Sequence, residues 1–326
     1  MIKIGVTGVG HLGNIHVSQL LHVEGAELSG VFDTDRARGE DVAAKYSCRL
    51  FSSFDELLEN SDAVDLVTPT PTHYELTRKA LQHTKHVFVE KPLCQSVDEA
   101  KSLISLAQEA EAVVQVGHVE RFNPALIALQ ETGFKLEPMF IEAHRLAEWN
   151  PRGSDVSVIL DLMIHDLDIV LSMVDSEAWR VSANGVAVVT STPDICNARI
   201  EFHNGCVANL TASRISMKRM RKMRIFQPDA YITIDFLEKR SEIYSLHDAE
   251  TAPTDKPPLF KFETADGEKY LHVDAPPVPE VNSIRRELES FVKAIQTRSE
   301  PPVTLLDAYA SLTIAQDILQ KIQPVH

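Results

Sequence analysis

Cysteine is scarce in this chain. The four present, Cys48, Cys94, Cys196 and Cys206, are scattered with no Cys-x-x-Cys pair, which argues for free thiols and against a zinc knuckle. No apolar run approaches the roughly 18 residues that a membrane helix needs. The opening MIKIGVTGVG lacks the layout of a signal peptide, since one lysine leads directly into alternating strand residues. The expectation is a cytoplasmic protein without membrane partners. Positive charge is also in deficit: 32 Lys and Arg stand against 47 Asp and Glu, a formal net charge of −15, which makes nucleic acid a poor partner. Internal repeats and low-complexity tracts are absent. What is there is ordinary globular composition over 326 residues, enough chain for two domains.

The first part of the chain alternates. Residues 3–7, 27–32, 63–68, 87–89 and 113–117 read as strands, and 15–22, 36–45, 73–83 and 97–109 as helices between them. Strand and helix taking turns is the pattern of a doubly wound parallel sheet, an α/β Rossmann domain over residues 1–120. Beyond it the pattern changes. A helix at 123–131, a strand at 139–145 and a long apolar helix at 156–174 precede strand-like runs at 180–189, 195–202, 206–213, 223–226, 231–236 and 241–245. Strands without intervening helices predict a large, mostly antiparallel open sheet in an α+β domain over 121–326. Residues 251–280 are Pro-rich and read as irregular, and helices at 283–297 and 305–322 close the chain, free to pack back toward the first domain.

Gly8-Val9-Gly10-His11-Leu12-Gly13 is a G-x-G-x-x-G run directly after the first strand. Gly8 permits a tight turn, Gly10 lets backbone N–H groups approach a pyrophosphate, and Gly13 lets helix and strand pack closely. Asp33 closes the second strand, 20 residues beyond Gly13. A carboxylate there accepts hydrogen bonds from a ribose hydroxyl and repels a 2′-phosphate, which favours NAD over NADP. Arg36 and Arg38 nearby keep NADP as the alternative. Thr68-Pro69-Thr70-Pro71-Thr72-His73 follows the third strand, where ligands of such sheets sit, so Thr68 and His73 are candidate cofactor neighbours. Two prolines and a capping Thr72 explain the same stretch as a rigid turn.

The strand Val87-Phe88-Val89 runs into Glu90-Lys91-Pro92. Successive side chains point to opposite faces, so one of Glu90 and Lys91 can face the cofactor crevice. Lys91 could stabilise an alkoxide as an ammonium or take a proton as an amine; a surface lysine at a strand end is the plain alternative. With the glycine run and the acid after the second strand, Glu-Lys-Pro resembles the glucose–fructose oxidoreductase, inositol dehydrogenase and MocA family of NAD(P)-dependent sugar and polyol dehydrogenases. The resemblance implies that Lys91 lies in an active site, often with a cis Lys–Pro bond, that Glu90 borders the cofactor, and that an Asp and a His four residues apart act from the second domain. Here they are Asp161 and His165. On a helix Asp161, His165 and Asp168 share one face, and a carboxylate one turn from an imidazole fixes its tautomer. Either His165 or Lys91 could serve as the base. A metal on the same pair lacks an evident third His or Cys.

Within the family, residues 117–124, 152–156 and 213–226 resemble the oxidases that act on the 3-hydroxyl of UDP-N-acetylglucosamine in making amino-sugar lipid A. Where the family pattern has a Gly-Gly run before the catalytic Asp, this chain has Ser157-Val158-Ile159-Leu160. A nucleotide-sugar diphosphate needs cations, for which Arg121, Arg145, Arg152, Arg214 and Lys218 are candidates, with Lys91 and Asn123 also at the substrate. The basic run 213–226 reads equally as a strand with one charged face or a subunit contact. An open sheet needs its exposed face covered, so a homodimer or homotetramer is expected.

Overall fold

A computed structural model describes residues 1–150, 156–265 and 267–322. The chain divides into two compact units that are not contiguous in sequence: Met1–Phe122 with Val281–Thr313, and Asn123–Glu280 with the residues from Ile314 onward. The sequence reading cut the chain once, after residue 120; the structure groups the segment Val281–Thr313 with the N-terminal residues.

In the first unit β1 (Ile2–Thr7), α1 (His11–Leu20), β2 (Ala26–Phe32), α2 (Arg36–Tyr46), α3 (Phe54–Glu59), β3 (Ala63–Leu66), α4 (His73–Gln82), β4 (His86–Glu90), α5 (Val97–Glu109) and β5 (Val114–Gly117) follow one another. The strands form one parallel sheet in the order β2-β1-β3-β4-β5. The chain steps one way from β1 to β2 and the other way to β3, so the order reverses between β1 and β3, the switch point beyond which such sheets bind ligands. Alternation along β1 assigns its two faces. Ile4 and Val6 are buried in one core with Val17 and Leu20 of α1, whereas a Cβ on Gly5 would meet Leu57 of α3. Leu288, Phe291 and Val292 of a later helix, α8 (Ser283–Thr297), complete the α1 side of this core. α1 starts at His11, immediately after the glycine turn and four residues before the expected start; α3 was not anticipated.

The second unit holds α6 (Pro124–Glu131), β6 (Phe140–Leu146), α7 (Ile164–Met173), β7 (Ala178–Val186), β8 (Ile195–Phe202), β9 (Val207–Ser213), β10 (Met220–Gln227), β11 (Ala230–Asp235), β12 (Arg240–Asp248), β13 (Phe260–Thr264) and β14 (Gly267–Asp274). α9 (Leu305–Lys321) begins in the first unit and ends in the second. The nine strands form one sheet, β13-β14-β12-β11-β10-β6-β9-β8-β7, in which β6 and β9 run parallel and the other pairings are antiparallel. Ile141, Ala143, Ile200, Leu210, Ile225 and Ile232 face a core shared with α6 and α7. The opposite face carries a row of aromatics, Phe140, Phe226, Tyr231 and Tyr244, with neighbouring ring centroids 4.9–6.0 Å apart. The hairpin β13–β14 corrects the expectation of irregular structure across 251–280. Among the described residues no helix is long and apolar enough to cross a membrane.

Candidate active site

The three glycines after β1 are present for different reasons. Gly8 has φ +82°, and a Cβ there would come within 2.7 Å of Thr68 Cγ2 and the Val67 carbonyl. A Cβ on Gly13 would run into the Gly8 carbonyl. Gly10 has an ordinary φ of −63° at the start of α1, and a Cβ there would meet no protein atom within 4 Å. The protein's own packing therefore accounts for Gly8 and Gly13 but not for Gly10. Close approach of an anion to the N–H groups opening α1 does account for it, so the loop fits a dinucleotide pyrophosphate. His11 and Leu12 are exposed in the first turn.

Asp33 follows β2, and one carboxylate oxygen accepts the Val9 N–H of the glycine loop at 2.8 Å while the other accepts the Asp35 N–H at 2.8 Å. It therefore ties the loop to the end of β2. Arg38 is drawn onto the two acids, 3.5 Å from Asp33 and 3.0 Å from Asp35, and Arg36 pairs with Glu40 at 2.9 Å.

Past β3, the Thr68 hydroxyl accepts from Thr72 Oγ1 at 2.7 Å. The buried His73 ring has Nε2 2.8 Å from the Thr68 carbonyl and Nδ1 2.9 Å from the Pro92 carbonyl. Burial holds His73 below the ordinary imidazole range, against the pull of those carbonyl oxygens. His73 thus sits between two loops and, as a neutral ring, donates to one of these two carbonyls. The Lys91–Pro92 bond is cis, and Lys91 is half-buried. Glu90 turns inward: one oxygen accepts the Lys91 N–H at 3.2 Å and the other lies 3.2 Å from Nε2 of His16. A Cβ on Gly117 of β5 would sit 2.8 Å from the Glu90 carboxylate, so a side chain there would displace that carboxylate from its present position. His16 and Asp65, its Nδ1 partner at 3.0 Å, are fully buried. Sequence reasoning missed both. The available signal was an acid in the middle of the apolar strand Ala-Val-Asp-Leu, a placement too costly to stand unpaired.

In the second unit Asp161 lies in a π-helical turn, Ile159–Met163, that runs directly into α7. The expected continuous α-helix is therefore interrupted, and the wider turn shifts Asp161 out of strict α-helical phase with His165. Asp161 and His165 are half-buried, while Asp166 and Asp168 are buried. Arg145, expected at the substrate, is buried on β6 and grips Asp166 in a two-pronged contact at 3.0 and 2.8 Å. Arg214 is likewise buried, donating to the Val156 carbonyl and lying 3.9 Å from Asp194. Asn123 caps α6, accepting the Ala125 N–H at 3.0 Å, and donates to the Phe236 carbonyl at 3.2 Å. In the first unit Arg121 stands 3.7 Å from Asp307. Arg152 lies outside the described residues. Lys218 is exposed. Of the basic run, Lys222 pairs across strands with Asp235 at 3.0 Å and Arg224 with Glu142, which makes this part a strand with one charged face. Among the described residues no group of three or more His, Cys, Asp or Glu is placed to hold a metal ion.

Residues 2–118 match the model of the GFO_IDH_MocA oxidoreductase family with its NAD-binding Rossmann fold, and residues 137–233 match the GFO/IDH/MocA C-terminal domain. A UDP-N-acetylglucosamine 3-dehydrogenase of Acidithiobacillus ferrooxidans is 40% identical over 294 residues, 90% of this chain and 88% of that relative. The NAD(+)-dependent scyllo-inositol 2-dehydrogenase of Bacillus subtilis is 28% identical over 331 residues, 96% of this chain and 92% of that relative. A solved structure of UDP-N-acetylglucosamine 3-dehydrogenase from Acidithiobacillus ferrooxidans superposes with a TM-score of 0.87 at 36% identity, covering 98% of this chain and 97% of that one. The glycine cradle after β1 and the nine-stranded sheet agree with these likenesses, and the chain belongs to the Gfo/Idh/MocA family of oxidoreductases.

Proposed function

We propose that this oxidoreductase converts the 3-hydroxyl of UDP-N-acetylglucosamine to a ketone with NAD, ahead of an amination that consumes the ketone, as in making amino-sugar lipid A. The observation that carries the substrate is the 40% identity, over nine-tenths of the chain, to a relative that bears that activity in its name. NAD is favoured by Asp33: its carboxylate closes β2 and draws Arg38 onto itself and Asp35, which leaves a 2′-phosphate facing an acid.

In this reading His165, oriented by Asp161, takes the hydroxyl proton, and the Lys91 ammonium holds the oxygen as charge develops on it. Bound NAD supplies the acceptor for the hydride that leaves the carbinol carbon. Gly8, Gly10, Gly13, His11 and Leu12 form the phosphate turn, and Thr68, His73 and Glu90 shape the adjoining edge. Arg121 and Arg152 are the cations proposed for the diphosphate. Arg145 and Arg214, buried in their own pairings, serve that pocket as supports. The aromatic row on the sheet face supports self-association as a homodimer or homotetramer.

The test is the absorbance of reduced nicotinamide on titration with UDP-N-acetylglucosamine and, separately, with inositols. Turnover of the nucleotide sugar alone is expected. Turnover of an inositol alone favours the second reading, a polyol dehydrogenase, to which the scyllo-inositol relative points. His165→Ala is expected to lower kcat by about 10²- to 10⁴-fold with NAD still bound; a loss confined to cofactor affinity removes His165 from the mechanism.

A further inference from the structure

The proposed chemistry makes no use of His16, although its ring is tightly committed. His16 lies one turn into α1 and is fully buried, edge-on to Phe88 at 5.7 Å, with Nδ1 hydrogen-bonded to Asp65 at 3.0 Å and Nε2 3.2 Å from a Glu90 oxygen, an ion-pair distance without hydrogen-bond geometry. A neutral imidazole donates from one nitrogen only. Carboxylate oxygens at both nitrogens call for a ring protonated on both. Burial alone would pull His16 down, but the charge and hydrogen bond of Asp65, with the nearby Glu90 carboxylate after them, raise it well above the ordinary imidazole range. Asp65 faces it from β3 and Glu90 from β4, and His73 of α4 lies close enough to feel the Glu90 charge.

Glu90 passes this constraint along the chain. The carboxylate that stands beside His16 by one oxygen accepts the Lys91 N–H with the other, and Gly117 leaves it room. On the far side of Lys91, the Pro92 carbonyl lies 2.9 Å from Nδ1 of the buried His73. Lys91 therefore projects from backbone whose N–H is held by Glu90.

We propose that His16 is a positioning residue for Lys91: its ring locks Glu90 in the rotamer that fixes the Lys91 main chain, coupling the glycine-loop helix to the lysine at the substrate oxygen. The inference rests on the role given to Lys91 above.

Two measurements test it. In ligand-free chain labelled with ¹⁵N-histidine, NMR at about pH 8, above the ordinary imidazole pKa of about 6.5, is expected to show an imidazolium that His16→Asn removes. A neutral His16 ring overturns the proposal. In kinetics, His16→Asn and Glu90→Gln are each expected to lower kcat by about 10- to 100-fold, while NADH dissociation constants and KM move less than about 3-fold. The double variant should be no slower than the slower single, because both act through one route. Fully multiplicative losses, or wild-type kcat in a folded His16→Asn, overturn it. If His16→Asn does not fold, Glu90→Gln and the NMR of the unaltered chain decide. Lys91→Ala separates the two levels. If it keeps wild-type kcat, the reading of Lys91 fails and this inference falls with it. If it is inactive while His16→Asn is unimpaired, only this inference falls.

Discussion

At the scale of the residue, Gly10 and Gly13 separate what the fold needs from what a ligand needs. Gly13→Ala forces a methyl group into the Gly8 carbonyl and is expected to lower the melting temperature. Gly10→Ala meets open space and is expected to leave melting unchanged while NADH titration reports binding weaker by about tenfold or more, the loss of roughly one charge-assisted N–H contact. Arg145 gives the opposite lesson. Its charge was visible in the sequence and suggested a phosphate partner, yet strand alternation had already assigned it: Ile141, Ala143 and Arg145 share the inward face of β6. An arginine on a core face requires an acid, and the acid is Asp166, beside His165. Arg145→Ala is expected to cost about 3–5 kcal/mol in urea unfolding, the usual loss when one partner of a buried pair is removed. Unchanged stability with a raised KM would return Arg145 to the substrate. The motif glycines and Asp33 stood out by their spacing, whereas the reading of Lys91 rested on the resemblance of Glu-Lys-Pro to a family pattern. His16 and Asp65 could not be paired that way, because their contact joins residues 49 apart through the packing of α1 on the sheet.

At the scale of the element, alternation and apolar spacing were enough to find the strands and helices but not their irregularities. The π turn at Ile159–Met163 has no compositional mark, since an extra residue in a turn leaves the apolar pattern continuous. The β13–β14 hairpin was hidden by averaging: the prolines of 251–280 flank residues 260–274, which contain none. The β7–β8 hairpin offers a direct test. The Asp194 carboxylate is fully buried and accepts the N–H groups of Val188, Val189 and Thr190 at 2.8, 2.6 and 3.0 Å. Burial opposes its ionisation, but these hydrogen bonds win and hold its pKa down at about 2. A depressed carboxylate stabilises the fold above its unfolded pKa of about 3.9 and loses that contribution as pH falls through about 2. Asp194→Ala is therefore expected to destabilise by about 2–3 kcal/mol near neutrality, where a shift of one unit is about 1.4 kcal/mol. The deficit relative to the unaltered chain should shrink below about pH 4, as read by denaturant unfolding across pH. A deficit that does not vary with pH would mean that packing, not ionisation, makes the difference.

At the scale of the whole molecule, the alternating first part and the strand-rich second part were legible as two architectures. Their membership was legible only as an allowance that the closing helices pack back toward the first domain; Val281–Thr313 is grouped with the first unit by packing, not by adjacency. α8 contributes Leu288, Phe291, Val292 and Ile295 to the core that β1 and α1 also line. A fragment of residues 1–122 is thus expected to lack cooperative unfolding by circular dichroism and to bind NADH poorly, and adding 281–313 through a linker should restore both. A sharply melting, NADH-binding 1–122 fragment would show α8 to be dispensable. The order of synthesis gives this topology a cost in time. On the ribosome the nucleotide-binding half emerges first and waits, one flank of its sheet uncovered, while the entire second unit up to Glu280 is translated. At ordinary elongation rates that interval is on the order of ten to thirty seconds, during which the nascent chain offers the apolar side of β1 and α1 to chaperones before its own helix arrives.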